Sequence, residues 1–303
     1  MAKHLEGKVA IVTGGAGGMG SQVCRIFAEQ GASVIVADTG GDVEGRSGVD
    51  ASRVQAVVDS ITTAGGSAVG ATGDIADMEY AESLVRTALD TYGKLDSLVC
   101  THGILRERMV FNMTEDEWDE VVRVHLKGCF TATKFASIYW RQTRTGGSII
   151  YFSSLAGIRG GAGQPNYSAA HAGKIGLMLS TANALGRYGV RVNCISPGAS
   201  TRMTDRGRLV DRGGPAPSLS AEGTERDPKN VVPPVVYLAS DAGSNITGRI
   251  IGAVGHKLTM WREPTWDSAI YSETPVWDID ELFRVMPETL GAGGWHPAPP
   301  TSP

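Results

Sequence analysis

Cysteine is scarce in this chain of 303 residues. Four are present, at positions 24, 100, 129 and 194, far apart, in apolar surroundings and with no C-x-x-C pair among them. That spacing argues against a zinc cage or a disulfide framework and for reduced core thiols; no metal site is expected. Long apolar runs are missing too, since none approaches the ~18 residues that a membrane helix needs. The opening MAKHLEGKVAIVTGG reaches its glycines without an extended apolar stretch, which argues against a secretory signal, and a cytoplasmic location is expected. Positive charge is not in excess either. Lys and Arg number 28 against 32 Asp and Glu, a formal net charge of −4. No basic field therefore recommends nucleic acid or an anionic membrane as partner, and a small-molecule substrate is expected.

What the chain has is glycine, 40 residues of it, and a regular alternation of apolar segments. KVAIVTG, SVIVAD, LDSLVCTHG, GSIIYFSS and VRVNCISPG have the dense apolar content of strands buried on both faces. Between them, SQVCRIFAEQG, AESLVRTALDTYG and EDEWDEVVRVHLKGCFTATKFASIYW place apolar residues three and four apart, as helices do. This rhythm predicts an α/β fold, a doubly wound parallel sheet of Rossmann type sandwiched between two helical layers, as a single domain over residues 1–260. Two polar loops interrupt it, at 39–53 and 200–229. Beyond Trp261 the pattern dissolves into a C-terminal extension, 261–303, whose aromatics suggest docking and whose Pro-rich end is expected to be disordered.

The strongest chemical signal is the strand KVAIV running into TGGAGGMG and then a helix. Glycines permit a tight turn and close approach of backbone to a pyrophosphate, and the helix N-terminus supplies free N–H groups. Thr13, Gly14, Gly18, Met19 and Gly20 are the candidate phosphate-binding residues. Asp38, eighteen residues after Gly20 at the end of the second strand, can accept from ribose hydroxyls and repel a 2′-phosphate, which favours NAD over NADP. A merely solvated loop aspartate is the alternative, and Arg46 or Arg53 could still meet a phosphate. Asp74 and Ile75, after the third strand, are placed beside the adenine.

These residues together resemble the short-chain dehydrogenase/reductase family over roughly residues 5–260. Its T-G-x-x-x-G-x-G motif is complete as Thr13, Gly14, Gly18 and Gly20, and its Pro-Gly pair after the sixth strand reads Pro197-Gly198. The segments VADTGGD, GILRERMVFNMTEDEWDEVVRVHLKG and STRMT resemble the branch holding the dehydrogenase part of multifunctional β-oxidation enzymes and the 17β-hydroxysteroid dehydrogenases. The resemblance implies a serine, a tyrosine and a lysine for hydride chemistry. Tyr167 matches the tyrosine, Ser154 the serine in preference to Ser153, and the lysine position is His171, which would also touch the cofactor ribose.

Other departures lie close by. The family's N-N-A-G loop reads Cys100-Thr101-His102-Gly103, with Gly103 the retained cofactor contact, and the asparagine of the long central helix is His125. On a helix, 167, 171 and 174 share a face, with Lys174 one turn beyond His171. Lys174 would have to reach back toward the tyrosine, and it reads as a solvated lysine without a role. The leading expectation is an NAD(H)-dependent oxidoreductase interconverting a secondary alcohol and a ketone on an apolar or acyl-type substrate, weakened by His171. On that reading His171→Lys raises turnover by at least about tenfold. The rivals are non-redox acid–base chemistry, such as cyclisation, elimination or isomerisation, on the same fold, and a dinucleotide sensor without turnover. The 200–229 loop, with Met203, Leu209 and Val210, is expected to cover the substrate. The resemblance also implies a homo-oligomer, a dimer or a tetramer, packed through helices near 115–140 and 167–187.

Overall fold

The structure, a computed structural model, describes residues 3–205, 216–262, 268–272, 274–290 and 292. Eight strands form one sheet in the order β3-β2-β1-β4-β5-β6-β7-β8. They are β1 Val9–Thr13, β2 Ser33–Asp38, β3 Ser67–Thr72, β4 Ser97–Cys100, β5 Gly147–Phe152, β6 Val190–Gly198, β7 Ile250–Val254 and β8 Lys257–Trp261. The first seven pair in parallel, and β8 returns antiparallel along β7. That last strand corrects the all-parallel expectation. Its burial alternates between exposed and half-buried along LTMW, the period-2 mark of an edge, which differs from the continuous apolar runs inside the sheet.

Helices cover both faces. On one side α1 (Gly18–Glu29), α2 (Ala51–Thr63) and α8 (Val232–Ala239) pack through Val23, Phe27, Val54, Val58, Val235 and Leu238. On the other, α3 (Met78–Tyr92), α5 (Gly128–Thr143) and α7 (Pro165–Leu185) pack through Leu84, Ala88, Cys129, Ala136, Trp140 and Met178. All four cysteines are free and buried. No helix among the described residues is long and apolar enough to cross a membrane.

Two features place the site. The chain leaves β3 on one side of β1 and resumes with β4 on the other, which opens a crevice at the C-terminal ends of β1 and β4. The long helical run after β4 is also not uniform. It starts as α4 (Glu115–Val122), held by a capping box between Thr114 and Glu117, and continues into α5 through a π-helical turn at Arg123–Lys127. There the Gly128 N–H reaches back to the Arg123 carbonyl, the wider i→i+5 pattern. The extra residue turns His125 into the interior, where it is buried.

The chain divides into two compact units, Met1–Trp261 and Arg262–Pro303. The second contains α9 (Ile279–Val285), N-capped by the Asp278 carboxylate accepting from the Glu281 N–H.

Candidate active site

A cavity of about 1050 Å³ opens along the C-terminal edge of the sheet. Its floor is the glycine turn. Gly14 adopts φ +73°, and a Cβ on Gly20 would stand 2.0 Å from the Gly14 carbonyl oxygen and 2.5 Å from Thr101 Oγ1, so neither position accommodates a side chain. The first turn of α1 directs the N–H groups of Gly18, Met19 and Gly20 out of the helix end without intrahelical acceptors. Asp38 closes this turn from the side. Its carboxylate accepts from the N–H of Ala16 (2.9 Å) and of Gly40 (2.8 Å) while still facing the cavity.

The 39–50 loop is not loose. Leu105 N–H donates to the Val43 carbonyl (2.8 Å), and buried Arg106 donates through Nε to the Glu44 carbonyl (2.9 Å). Arg53 is engaged with the carbonyls of Gly40 and Gly41, and Arg46 with Glu44. Asp74 accepts from the Ala76 N–H and pairs with Arg123 at 2.6 Å, while Ile75 lines the wall beside it. Pro197 and Gly198 end β6 on the opposite wall. Of the 200–229 loop, Thr201, Arg202 and Met203 line the cavity, whereas Leu209 and Val210 lie outside the described residues.

The reactive corner is built by α7, the end of β5 and the π-helical turn. Pro165 opens α7 at a position where a missing N–H costs nothing. One turn on, the rings of Tyr167 and His171 are tilted against each other with centroids 4.1 Å apart. His125 meets Tyr167 edge-on at 5.0 Å and His171 at 4.6 Å. Ser154 lines the same cavity wall as Tyr167 and caps a short helix, α6 (Leu155–Arg159), its hydroxyl accepting from the Ala156 N–H at 3.2 Å. Ser153 points away and donates to the His171 carbonyl (3.2 Å). Burial pushes the Tyr167 phenol up to about 12; the nearby Ser154 hydroxyl opposes the rise and Glu107 adds to it.

His171 is buried, and neither ring nitrogen has a hydrogen-bond partner in the protein. Burial first, then the neighbouring Lys174, His125 and His102, hold its imidazole well below the usual histidine range, so it is neutral at pH 7. A buried, unpaired donor and acceptor facing a cavity is a costly arrangement that a polar ligand relieves. With the free N–H groups of α1, the side-chain-free turn and the Asp38 carboxylate, it makes the cavity chemically fit for a dinucleotide.

One sequence expectation changes here. Lys174 is not a solvated lysine: it is 0% exposed, and its ammonium donates to Nδ1 of His125 (3.2 Å) and to the Phe152 carbonyl (3.1 Å). The signal was present, because 167, 171, 174, 178 and 182 recur along the α7 face that carries the buried Met178 and Ala182. His102, at the alanine position of the family loop, is buried and bonded through Nδ1 to Thr13 Oγ1 (2.6 Å), with Nε2 facing Cys129 Sγ at 3.7 Å. Gly103 leaves room for His125, since a Cβ there would come within 2.1 Å of its Cε1. Among the described residues no cluster of His, Cys, Asp or Glu has the arrangement of a metal site.

The match to known proteins follows this geometry. A family model described as short chain dehydrogenase matches residues 8–209. Hydroxyacyl-CoA dehydrogenase ChsB1 of Mycobacterium tuberculosis is 40% identical over 294 residues, 93% of this chain and 88% of that protein. Peroxisomal multifunctional enzyme type 2 of Mus musculus is 41% identical over 202 residues, 67% of this chain but 27% of that enzyme. The crystal structure of a short chain dehydrogenase from Mycobacterium avium shares 39% identity at a TM-score of 0.84, covering 99% of this chain and 100% of that one. With the glycine turn, the doubly wound sheet and a tyrosine facing the crevice, the chain belongs to the short chain dehydrogenase family.

Proposed function

We propose that this protein is an NAD(H)-dependent dehydrogenase that interconverts a secondary alcohol and a ketone on an apolar or acyl-type substrate. The observation that carries the reading is that Ser154 and Tyr167 line one cavity wall, with the unpaired imidazole of His171 one helical turn beyond Tyr167 and its ring centroid 4.1 Å from the phenol ring. Ser154 holds the substrate oxygen. Tyr167 takes the hydroxyl proton on oxidation and returns it on reduction. A bound nicotinamide supplies the hydride acceptor or donor.

The dinucleotide is held by Thr13, Gly14, Gly18, Met19 and Gly20 at the pyrophosphate, by Asp38 at the adenosine ribose, and by Asp74 and Ile75 at the adenine. Gly103, Pro197 and Gly198 border the nicotinamide half, where Tyr167 and His171 reach its ribose. NAD is preferred because Asp38 presents a carboxylate where NADP carries a phosphate, and Arg53, the nearest cation on the loop, is spent on two carbonyls. An acyl thioester fits the similarity to a protein named as a hydroxyacyl-CoA dehydrogenase, and Met203 adds apolar surface to the wall. We further propose a cytoplasmic homo-oligomer, a dimer or tetramer, packed through the α4–α5 run and α7.

The test is absorbance at the NADH band with NAD+ or NADP+ across 3-hydroxyacyl-CoAs, hydroxysteroids and small cyclic alcohols. NAD-linked reduction with at least one of them is expected. Binding of NADH without turnover of any would overturn the reading.

A further inference from the structure

The charge that Tyr167 chemistry calls for is absent four residues further along its helix and present, buried, seven residues further. We propose that Lys174 is a positioning residue of the active site, whose ammonium fixes the tautomer of His125 and the carbonyl that precedes the serine pair. The proposal rests on the dehydrogenase reading for its effect on rate, but not for its effect on His125.

The geometry around His125 carries it. Its Nε2 stands 2.7 Å from the Ile104 carbonyl oxygen and 3.1 Å from the Ile104 nitrogen, so this edge can either donate to the one or accept from the other. The choice is made at the far edge. An ammonium has only donors, so Nδ1 must accept from Lys174, and Nε2 carries the proton and donates to the Ile104 carbonyl. Lys174 thereby ties the loop after β4 to α7. Its second bond, to the Phe152 carbonyl, ties α7 to the end of β5, next to Ser153 and Ser154. One buried side chain links the three elements that carry the candidate catalytic groups.

The cation also acts on its surroundings. The titratable groups within its electrostatic reach are His125 on the π-helical turn, His171 on its own helix, Cys100 on β4, Cys129 on α5 and Cys194 on β6, with His102 and Tyr167 beside the imidazoles. None of these is a carboxylate. Protonating either imidazole would set a second positive charge beside buried Lys174, so the rings stay neutral and the ring nitrogens of His171 remain available to a ribose hydroxyl.

The test uses full-length protein labelled with ¹⁵N-histidine, as wild type, Lys174→Met, Lys174→Arg and His171→Lys/Lys174→Leu. Ring-nitrogen NMR is expected to show His125 as a single neutral Nε2–H tautomer in the wild type and in Lys174→Arg. In Lys174→Met it is expected to be averaged between tautomers, because nothing then selects at Nδ1. With 3-hydroxyoctanoyl-CoA and NAD+, Lys174→Met is expected to lose about tenfold or more in kcat with KM little changed, and to shift its acid limb upward by about one pH unit. Lys174→Arg restores most of the rate, whereas the double variant, which puts a cation four residues beyond Tyr167 but leaves Nδ1 of His125 without its donor, shows the averaged tautomer. An unaltered His125 tautomer and an unaltered pH profile in Lys174→Met, with a lowered Tm alone, would overturn the proposal. Should Lys174→Met not fold, a single Nε2–H tautomer of His125 in the double variant, or a wild-type spectrum showing Nδ1–H, overturns it as well. Absence of turnover in every variant would refute the dehydrogenase reading and leave the tautomer to decide the role of Lys174.

Discussion

Thr13 Oγ1 lies 2.6 Å from Nδ1 of His102, a buried contact joining the last residue of β1 to the loop after β4. The same hydroxyl can donate to the Val99 carbonyl at 3.4 Å, and it bridges that carbonyl and the imidazole. Thr13→Val keeps the shape and removes the hydroxyl, leaving His102 without that partner. A loss of about 1–3 kcal/mol of stability is expected, together with weaker NADH binding, from denaturant titration and fluorescence. Unchanged values in both would mean that the contact has no energetic role.

Tyr167→Phe removes the phenol while keeping the ring packed against His125 and His171. A fall in kcat of about 10²–10⁴ is expected with NADH affinity retained. In the wild type, a phenol pushed up to about 12 is protonated at pH 7, so alcohol oxidation is expected to accelerate as pH rises from 7 to 10. A flat profile over that range would argue for another base.

Asp38→Ala removes the carboxylate that accepts from the Ala16 and Gly40 N–H groups. NAD+ binding is expected to weaken by about tenfold or more, which is ~1.4 kcal/mol, while NADP+ loses less. Calorimetry with both nucleotides checks this, and an equal loss for the two would remove Asp38 from nucleotide discrimination.

The neutral imidazoles of His125 and His171 make stability depend on acid. Both are held below the ordinary histidine value of 6.5, by burial first and Lys174 next. The unfolded chain therefore binds the protons more readily. Their contribution is complete above pH 6.5 and is lost as pH falls below it, at up to about 1.4 kcal/mol per pH unit for each ring. Urea midpoints at pH 7.5 and 5.5 should differ accordingly, and His171→Phe should reduce the slope. A slope that His171→Phe leaves unchanged would place the acid sensitivity elsewhere.

His171→Lys, read from the helix spacing alone, promises a gain in turnover. The buried ammonium at 174 reverses that expectation, since the new lysine would bring a second cation to the same helical face one turn away. The single variant is expected to be less stable than wild type, with no tenfold gain in NAD-linked turnover, as measured by thermal melts and steady-state rates. A tenfold gain without loss of Tm would show that the two charges coexist there.

Much of the architecture can be read from local pattern. The five quoted apolar segments coincide with β1, β2, β4, β5 and β6 because strands covered on both faces must be apolar at every position. The glycine turn is equally legible, because a chain that must bend sharply and pass close to its neighbours can use only glycine at 14 and 20. Edge strands announce themselves less. β3 is exposed or half-buried along its whole length, and β8 carries no parallel-sheet signature.

By itself, then, the order of residues determined the doubly wound sheet and the glycine turn that follows its first strand. Those depend on periodicity and on interactions a few residues apart. Only the tertiary structure decided what surrounds them: that Arg53 is spent on carbonyls, that His102 bonds to Thr13, and that Lys174 turns inward to His125. The reason is that a lysine's character depends on whether acceptors and apolar walls meet it at the end of its side chain. Here those partners come from residues 22 and 49 positions away, brought together by the π-helical turn and the end of β5.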